Sequence, residues 1–294
     1  MRILIGTDLS GTADEAVRQG FSLAASGAHE LALCHVLPEP QLRTLSPEEH
    51  ERDLSALLEL EPRVAEALTA QVERLLGSEA APFQIFIEQG SDYAKLIQRA
   101  EQWHADLLVV GSHGRSGIGR YFSRSVAEHV VRYAPSAVLV ARERARGVVL
   151  IATDLSDPAL PAIAAGVREA LRRQAPLVVV HVTETLSLGM LPAMALLGMN
   201  PVTETLEVAE ERGRFTRQII ESALQRFGAT GDVRIVDGDP ETEILSLVES
   251  LSAELLVVAT RGRSSVARVL LGSVAANLVE NAPCSVLAVR QSPS

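Results

Sequence analysis

"RILIGTDLS" occupies Arg2 to Ser10, and "VVLIATDLS" occupies Val148 to Ser156. Each reads as a buried strand that ends in an acid and a turn. Asp8 and Asp154 stand 146 positions apart, and His35 and His181, in "LALCHVL" and "LVVVHVT", keep that interval. Farther on the interval is 148, for Gly90 and Gly238, Gly114 and Gly262, Pro135 and Pro283. Anchors matched in unchanged order identify an internal repeat. The chain is therefore two copies of one domain, expected at residues 1–142 and 147–290. Their join, "RERARG" from Arg142 to Gly147, is short, which sets the copies side by side.

Within each copy strands alternate with helices. The first copy predicts strands near Ile3–Thr7, Leu31–Val36, Phe83–Glu88, Leu107–Gly111 and Ala137–Ala141. The second predicts them near Val148–Thr153, Leu177–Val182, Asp232–Val236, Leu255–Ala259 and Ser285–Val289. "DLLVVG", "ELLVVAT" and "PLVVVHV" are near-continuous apolar runs, as in parallel strands covered on both faces. Thr12 to Glu15 fits a capping box. Asp157-Pro158 and Asp239-Pro240 each place an N-cap before a proline at the first helical position. The fold class is α/β, two doubly wound five-stranded parallel domains.

Composition narrows the function. The chain has 294 residues, 47% hydrophobic and 22% charged, and a net charge of -10. That charge argues against nucleic acid, whose partners carry basic surfaces, and 3% aromatic residues argue against base stacking. Two cysteines and no visible secretory signal make the cytoplasm the expected location. The uncharged stretch Thr185–Thr203 holds Met190, Met194 and Met199, but Gly189, Pro192, Gly198, Asn200 and Pro201 break it. It is expected to be an apolar flap rather than a transmembrane helix, covering either a second chain or the ligand crevice, or else folded on its own domain.

In a doubly wound sheet the ligand crevice lies beyond the carboxyl ends of the strands, where strand order reverses. There "GSHGRSGIGRYFSRS" (Gly111 to Ser125) and "ATRGRSSVARVLLGS" (Ala259 to Ser273) follow the fourth strand of each copy. A glycine-rich turn brings backbone N–H groups close to a ligand. The helix opened by Gly272-Ser273 adds unpaired N–H groups and a partial positive charge, so the two make an anion cradle suited to phosphate. Ser125 and Ser273 offer hydroxyls, and Arg115 and Arg263 offer charge. The segment is not a P-loop, because the chain's one lysine, Lys95, follows Ala94. Nor is it a dinucleotide fingerprint, because Phe122 stands where the third glycine belongs. Asp8 and Asp154 are candidates to accept hydrogen bonds from ribose or a base amino group, with a helix cap as the other reading. Val36 and Val182 would present main-chain groups to an adenine edge. His35 and His181 read as structural.

These segments resemble the universal stress protein family, whose mark is Gly-x2-Gly-x9-Gly-Ser/Thr after the fourth strand and an acid after the first. The resemblance covers residues 1–141 and 147–290. It implies an adenine nucleotide α-hydrolase-like fold, with the copies paired through their last strands as a pseudo-dimer. It also implies ATP as ligand, with or without Mg2+. The implied contacts are Thr7, Asp8, Val36, Gly111, Gly114, Arg115 and Ser125 in the first copy. In the second they are Thr153, Asp154, Val182, Ala259, Gly262, Arg263, Gly272, Ser273 and Val274. Each copy departs from the motif at one glycine. Copy one has Arg124 and copy two has Ala259. Gly272 at the helix start favours the second copy as the better site, since Arg124 would crowd the approach in the first, unless its guanidinium instead clamps phosphate from the side.

The leading function is thus a regulatory, stress-linked ATP-binding protein with weak or no hydrolysis, as a homodimer or other self-association. A slow ATPase or nucleotidyl transferase is one alternative. A module that binds another small ligand, a lipid or a protein without nucleotide is the other.

Overall fold

Ten strands form one sheet in the order β3-β2-β1-β4-β5-β10-β9-β6-β7-β8 in a computed structural model of the chain. The structure describes residues 1–25, 27–38, 47–77, 80–112, 124–143, 145–183, 206–260 and 271–290. Over 47–59, 124–125, 158 and 206–209 it describes the backbone alone. The first copy contributes β1 (Arg2–Gly6), β2 (Glu30–Leu37), β3 (Gln84–Gln89), β4 (Leu107–Gly111) and β5 (Ala137–Ala141). The second contributes β6 (Val149–Ala152), β7 (Leu177–Thr183), β8 (Asp232–Asp237), β9 (Leu255–Ala259) and β10 (Ser285–Val289). All ten fall within two residues of the expected spans. Every pairing inside a copy is parallel, for example Gly6 beside Cys34 and Val110. The one antiparallel pairing among the described residues joins the copies, with Leu287 opposite Leu139 and Val286 opposite Val140. The α/β class is as expected, and the two five-stranded halves share one sheet.

Helices cover both faces. On one face lie α1 (Asp14–Ala24), α2 (Pro47–Leu76), α5 (Leu160–Arg173) and α6 (Leu206–Arg226). On the other lie α3 (Asp92–Gln102), α4 (Arg124–Tyr133), α7 (Pro240–Ser250) and α8 (Ser273–Asn281). Side chains alternate along each strand, so Ile3 and Ile5 pack with the first set and Leu4 with the second. This two-sided burial is why the strands are apolar at nearly every position.

Two of the three expected caps are corrected. Helix α1 begins at Asp14 with Ala13 as N-cap and no side-chain cap, so Thr12 does not close a capping box. Asp157 opens a 3-10 turn, Asp157–Ala159, and α5 begins after it at Leu160, so Asp157 does not cap α5. Asp239 does cap α7, its carboxylate accepting the Thr242 N–H at 2.9 Å.

Candidate functional site

The chain leaves β1 for one side of the sheet and later enters β4 on the other side of β1. Connections therefore part between β1 and β4, and in the second copy between β6 and β9. A crevice opens at such a point because the helix after each strand lies on an opposite face.

Both copies build the same turn there. After β1, the Thr7 hydroxyl accepts the Leu9 N–H at 3.1 Å, and Asp8 Oδ1 accepts the Ser10 N–H at 3.0 Å and the Ser10 hydroxyl. After β6, Thr153 and Asp154 do the same for Leu155 and Ser156, at 3.1 and 3.0 Å. Leu9 and Leu155 sit at φ of 64° and 62°, a left-handed conformation that costs a side-chain-bearing residue roughly 1–2 kcal/mol. The turn is thus held against strain by the side chains of the very residues the sequence singles out. Neither aspartate caps a helix.

One cavity of about 220 Å³ opens at the first copy's edge. Its walls include Thr7, Asp8, Val36 and Gly111, four residues expected from the sequence. Asp8 is exposed there, and among the described residues its Oδ2 takes no hydrogen bond. Gly6, Thr12, Cys34 and Asp92 also line the cavity and were not expected. Asp92, at the first turn of α3, comes from the element after β3, which carries none of the repeated motifs. Burial, with the Glu88 charge nearby, pushes the Cys34 thiol up to about 12, so it stays protonated at neutral pH and is no nucleophile.

The histidines are fixed main-chain partners. His35 Nδ1 donates to the Thr7 carbonyl and His181 Nδ1 to the Thr153 carbonyl, each at 2.8 Å. Each pins the middle of its strand to the end of its neighbour.

The second copy repeats the arrangement with Thr153, Asp154, Val182 and Ala259 at the ends of β6, β7 and β9. Gly272 is the N-cap of α8, and Ser273 and Val274 are its first residues. Gly272 has φ −62° and ψ 149°, which any residue adopts. Among the described residues, a Cβ built on it would meet nothing nearer than the Thr260 carbonyl at 3.8 Å. Among the described residues nothing requires glycine at this helix start, and the N–H groups of a helix's first turn are the kind of group that holds an anion.

Gly111 differs. A Cβ there would come within 2.8 Å of the Thr12 carbonyl and 3.2 Å of the Ala13 Cα. Glycine lets the turn before α1 press against the end of β4. In the second copy Ala259 takes this place at the end of β9, which lies beside the 3-10 turn Asp157–Ala159, and it is not a positive-φ residue.

Gly114, Arg115, Gly262 and Arg263 lie outside the described residues, as does the segment 185–203. Ser125 is the second residue of α4, with its side chain outside the description. No helix among the described residues is long and apolar enough to cross a membrane.

A model of the universal stress protein family matches residues 1–142 and again residues 146–290. A universal stress protein of Mycolicibacterium smegmatis is 27% identical over 303 aligned positions, covering 98% of this chain and 96% of that one. The universal stress protein YxiE of Bacillus subtilis is 30% identical over 147 positions, covering 48% of this chain and 97% of that one. Among solved structures, a universal stress protein from Archaeoglobus fulgidus DSM 4304 superposes with a TM-score of 0.65 at 20% identity and 98% coverage of both chains, a likeness of fold.

Proposed function

Because the chain belongs to the universal stress protein family, we propose that it binds ATP at the carboxyl edge of each half of its sheet and acts as a regulatory protein of the cytoplasm. The observation that carries the reading is the first copy's cavity, where Thr7, Asp8, Val36 and Gly111 converge from three strands. A carboxylate oxygen is available there to ribose hydroxyls or a base amino group. Val36 and Val182 sit at the ends of β2 and β7, where main-chain groups reach a purine edge. The space before α8 suits phosphate, which the N–H groups of Ser273 and Val274 would hold. Arg115, Arg263, Gly114, Gly262 and Ser125 complete the proposal as phosphate contacts. Mg2+, when it accompanies ATP, would be carried by the phosphates.

The reading is of binding rather than turnover. The Cys34 thiol is held protonated, and each strand histidine uses its Nδ1 to bond a main-chain carbonyl within the sheet. Self-association through residues 185–203 belongs to the same proposal.

Calorimetric titration of ATP tests it. Asp8→Asn and Asp154→Asn each keep an acceptor for the local turn but remove the charge. Together they should weaken ATP binding by about 1–3 kcal/mol per site, the worth of a hydrogen bond lost to a ligand. Wild-type affinity in the double variant would remove both aspartates from the site.

A further inference from the structure

Arg142 directly follows β5, the last strand of copy one, and Arg290 directly follows β10, the last strand of copy two. They stand 148 positions apart and are repeat equivalents. Each reaches across the antiparallel seam into the other copy. Arg142 donates to the carbonyls of Val279 at 2.5 Å and Cys284 at 3.2 Å, at the last turn of α8 and the loop beyond it. Arg290 donates to the carbonyls of Arg132 at 2.7 Å and Val131 at 3.4 Å, in the last turn of α4. These contacts fill acceptors that a helix C-terminus leaves unpaired and set positive charge at the negative end of its dipole. The guanidinium of Arg142 is buried deeply enough to pull its pKa down to about 10, and it remains charged at neutral pH.

The two helices so gripped are the two whose first turns are proposed above to hold phosphate. The gripped Val279 lies six residues beyond Ser273 in α8, so about 9 Å of helix axis separates the gripped carbonyl from the open end. A helix this short can transmit an axial displacement from one end to the other. The seam adds a second hold, because the Ser285 hydroxyl accepts the Arg142 N–H at 3.0 Å and lies 3.1 Å from the Arg142 carbonyl.

We infer that Arg142 and Arg290 are crossed positioning residues, each setting the phosphate helix of the opposite copy and coupling the two nucleotide crevices through the seam. The inference rests on the ATP reading above. Nucleotide drawn to the first turn of α8 pulls on a helix whose other end is held by copy one, so copy one registers what copy two binds. The reverse holds through α4 and Arg290.

The test uses full-length chains with one crevice disabled, Asp8→Ala leaving the second and Asp154→Ala leaving the first, titrated with ATP by calorimetry. Arg142→Lys keeps the charge but loses the two-pronged grip. It should weaken the second crevice by about fivefold or more, the lower end of typical coupling between sites, and leave the first within about twofold. Arg290→Lys should give the mirror image. A merely stabilising role would affect both crevices alike or neither, and either result overturns the inference. Should the lysine variants fail to fold, hydrogen exchange on a chain that keeps both arginines decides. ATP in an Asp8→Ala chain must then slow exchange of the Arg142 amide, and unchanged exchange overturns the inference. Absence of ATP heat in the wild-type chain is a different result, which removes the ATP reading and the coupling with it.

Discussion

Gly111 and Gly272 are both glycines of one motif, yet their surroundings assign them different work. A methyl on Gly111 would press into the backbone at Thr12 and Ala13, which no side-chain rotation relieves. Gly111→Ala should therefore destabilise the chain by about 1–3 kcal/mol, the usual range for overpacking. Gly272→Ala meets no such contact among the described residues, and loss of unfolded-state freedom should leave stability unchanged or raised by about 0.4–1 kcal/mol. Under the ATP proposal it should also weaken binding at the second crevice. Urea unfolding of both variants, with ATP titration of Gly272→Ala, checks the pair, and equal destabilisation by both would refute the division. The sequence identifies both positions but gives them one role, because spacing records where a glycine is and not what its missing side chain would touch. It also passes over Asp92 and Cys34, which the fold carries to the cavity although neither position is matched by the same residue in the other copy.

Elements were legible where burial alone decides them and less so where side chains choose among local partners. All ten strands follow from apolar runs, since a strand covered on both faces has little other composition open to it. The starts of α1 and α5 were misplaced because the Thr-Asp-Leu-Ser turn competes with capping and delays the helix. The docking of α2 on α1 left no local signal at all. Gln71, 4% exposed, accepts from the Thr7 hydroxyl at 3.0 Å and donates to Asp14 at 2.8 Å, and Arg74 donates to the same Asp14 oxygen at 2.8 Å. No pattern along α2 separates a buried glutamine from a solvated one. Gln71→Leu leaves the Thr7 hydroxyl without this acceptor and should cost about 1–3 kcal/mol in urea unfolding. Asp14 adds a pH dependence. The hydrogen bond from Arg74, with that from Gln71, holds its carboxyl below the ordinary value of 3.8. A depressed folded value means the unfolded chain binds the proton more readily, so this contribution is fully present above about pH 3.8 and is lost as pH falls through the folded value. Asp14→Asn should flatten that part of the stability profile below pH 4. A wild-type slope in the variant would show that Asp14 does not contribute to it.

Two copies of a domain ordinarily suggest two folding units, but this sheet runs unbroken through both. Leu139 and Leu287, 2% and 8% exposed, face each other at the seam, and the buried cluster on each face of the sheet contains residues of both copies. Cutting the molecule at the join would expose the edges of β5 and β10 together with the packing of α4 against α8, and it would strip Arg142 and Arg290 of their acceptors. The halves should therefore unfold together. The chain provides a convenient pair of probes, because its one tryptophan, Trp103, lies in the first copy, whereas far-UV circular dichroism reports both. Tryptophan emission and dichroism should give superimposable urea curves, the mark of a two-state transition. Leu139→Ala and Leu287→Ala should each cost about 2–5 kcal/mol as buried cavities. Because the two side chains are directly opposed, the double variant should depart from additivity by about 0.5–3 kcal/mol. Tryptophan emission that changes at a urea concentration where dichroism is still only half lost, already in the wild-type chain, would show that the first copy unfolds alone and that the seam joins two independent domains.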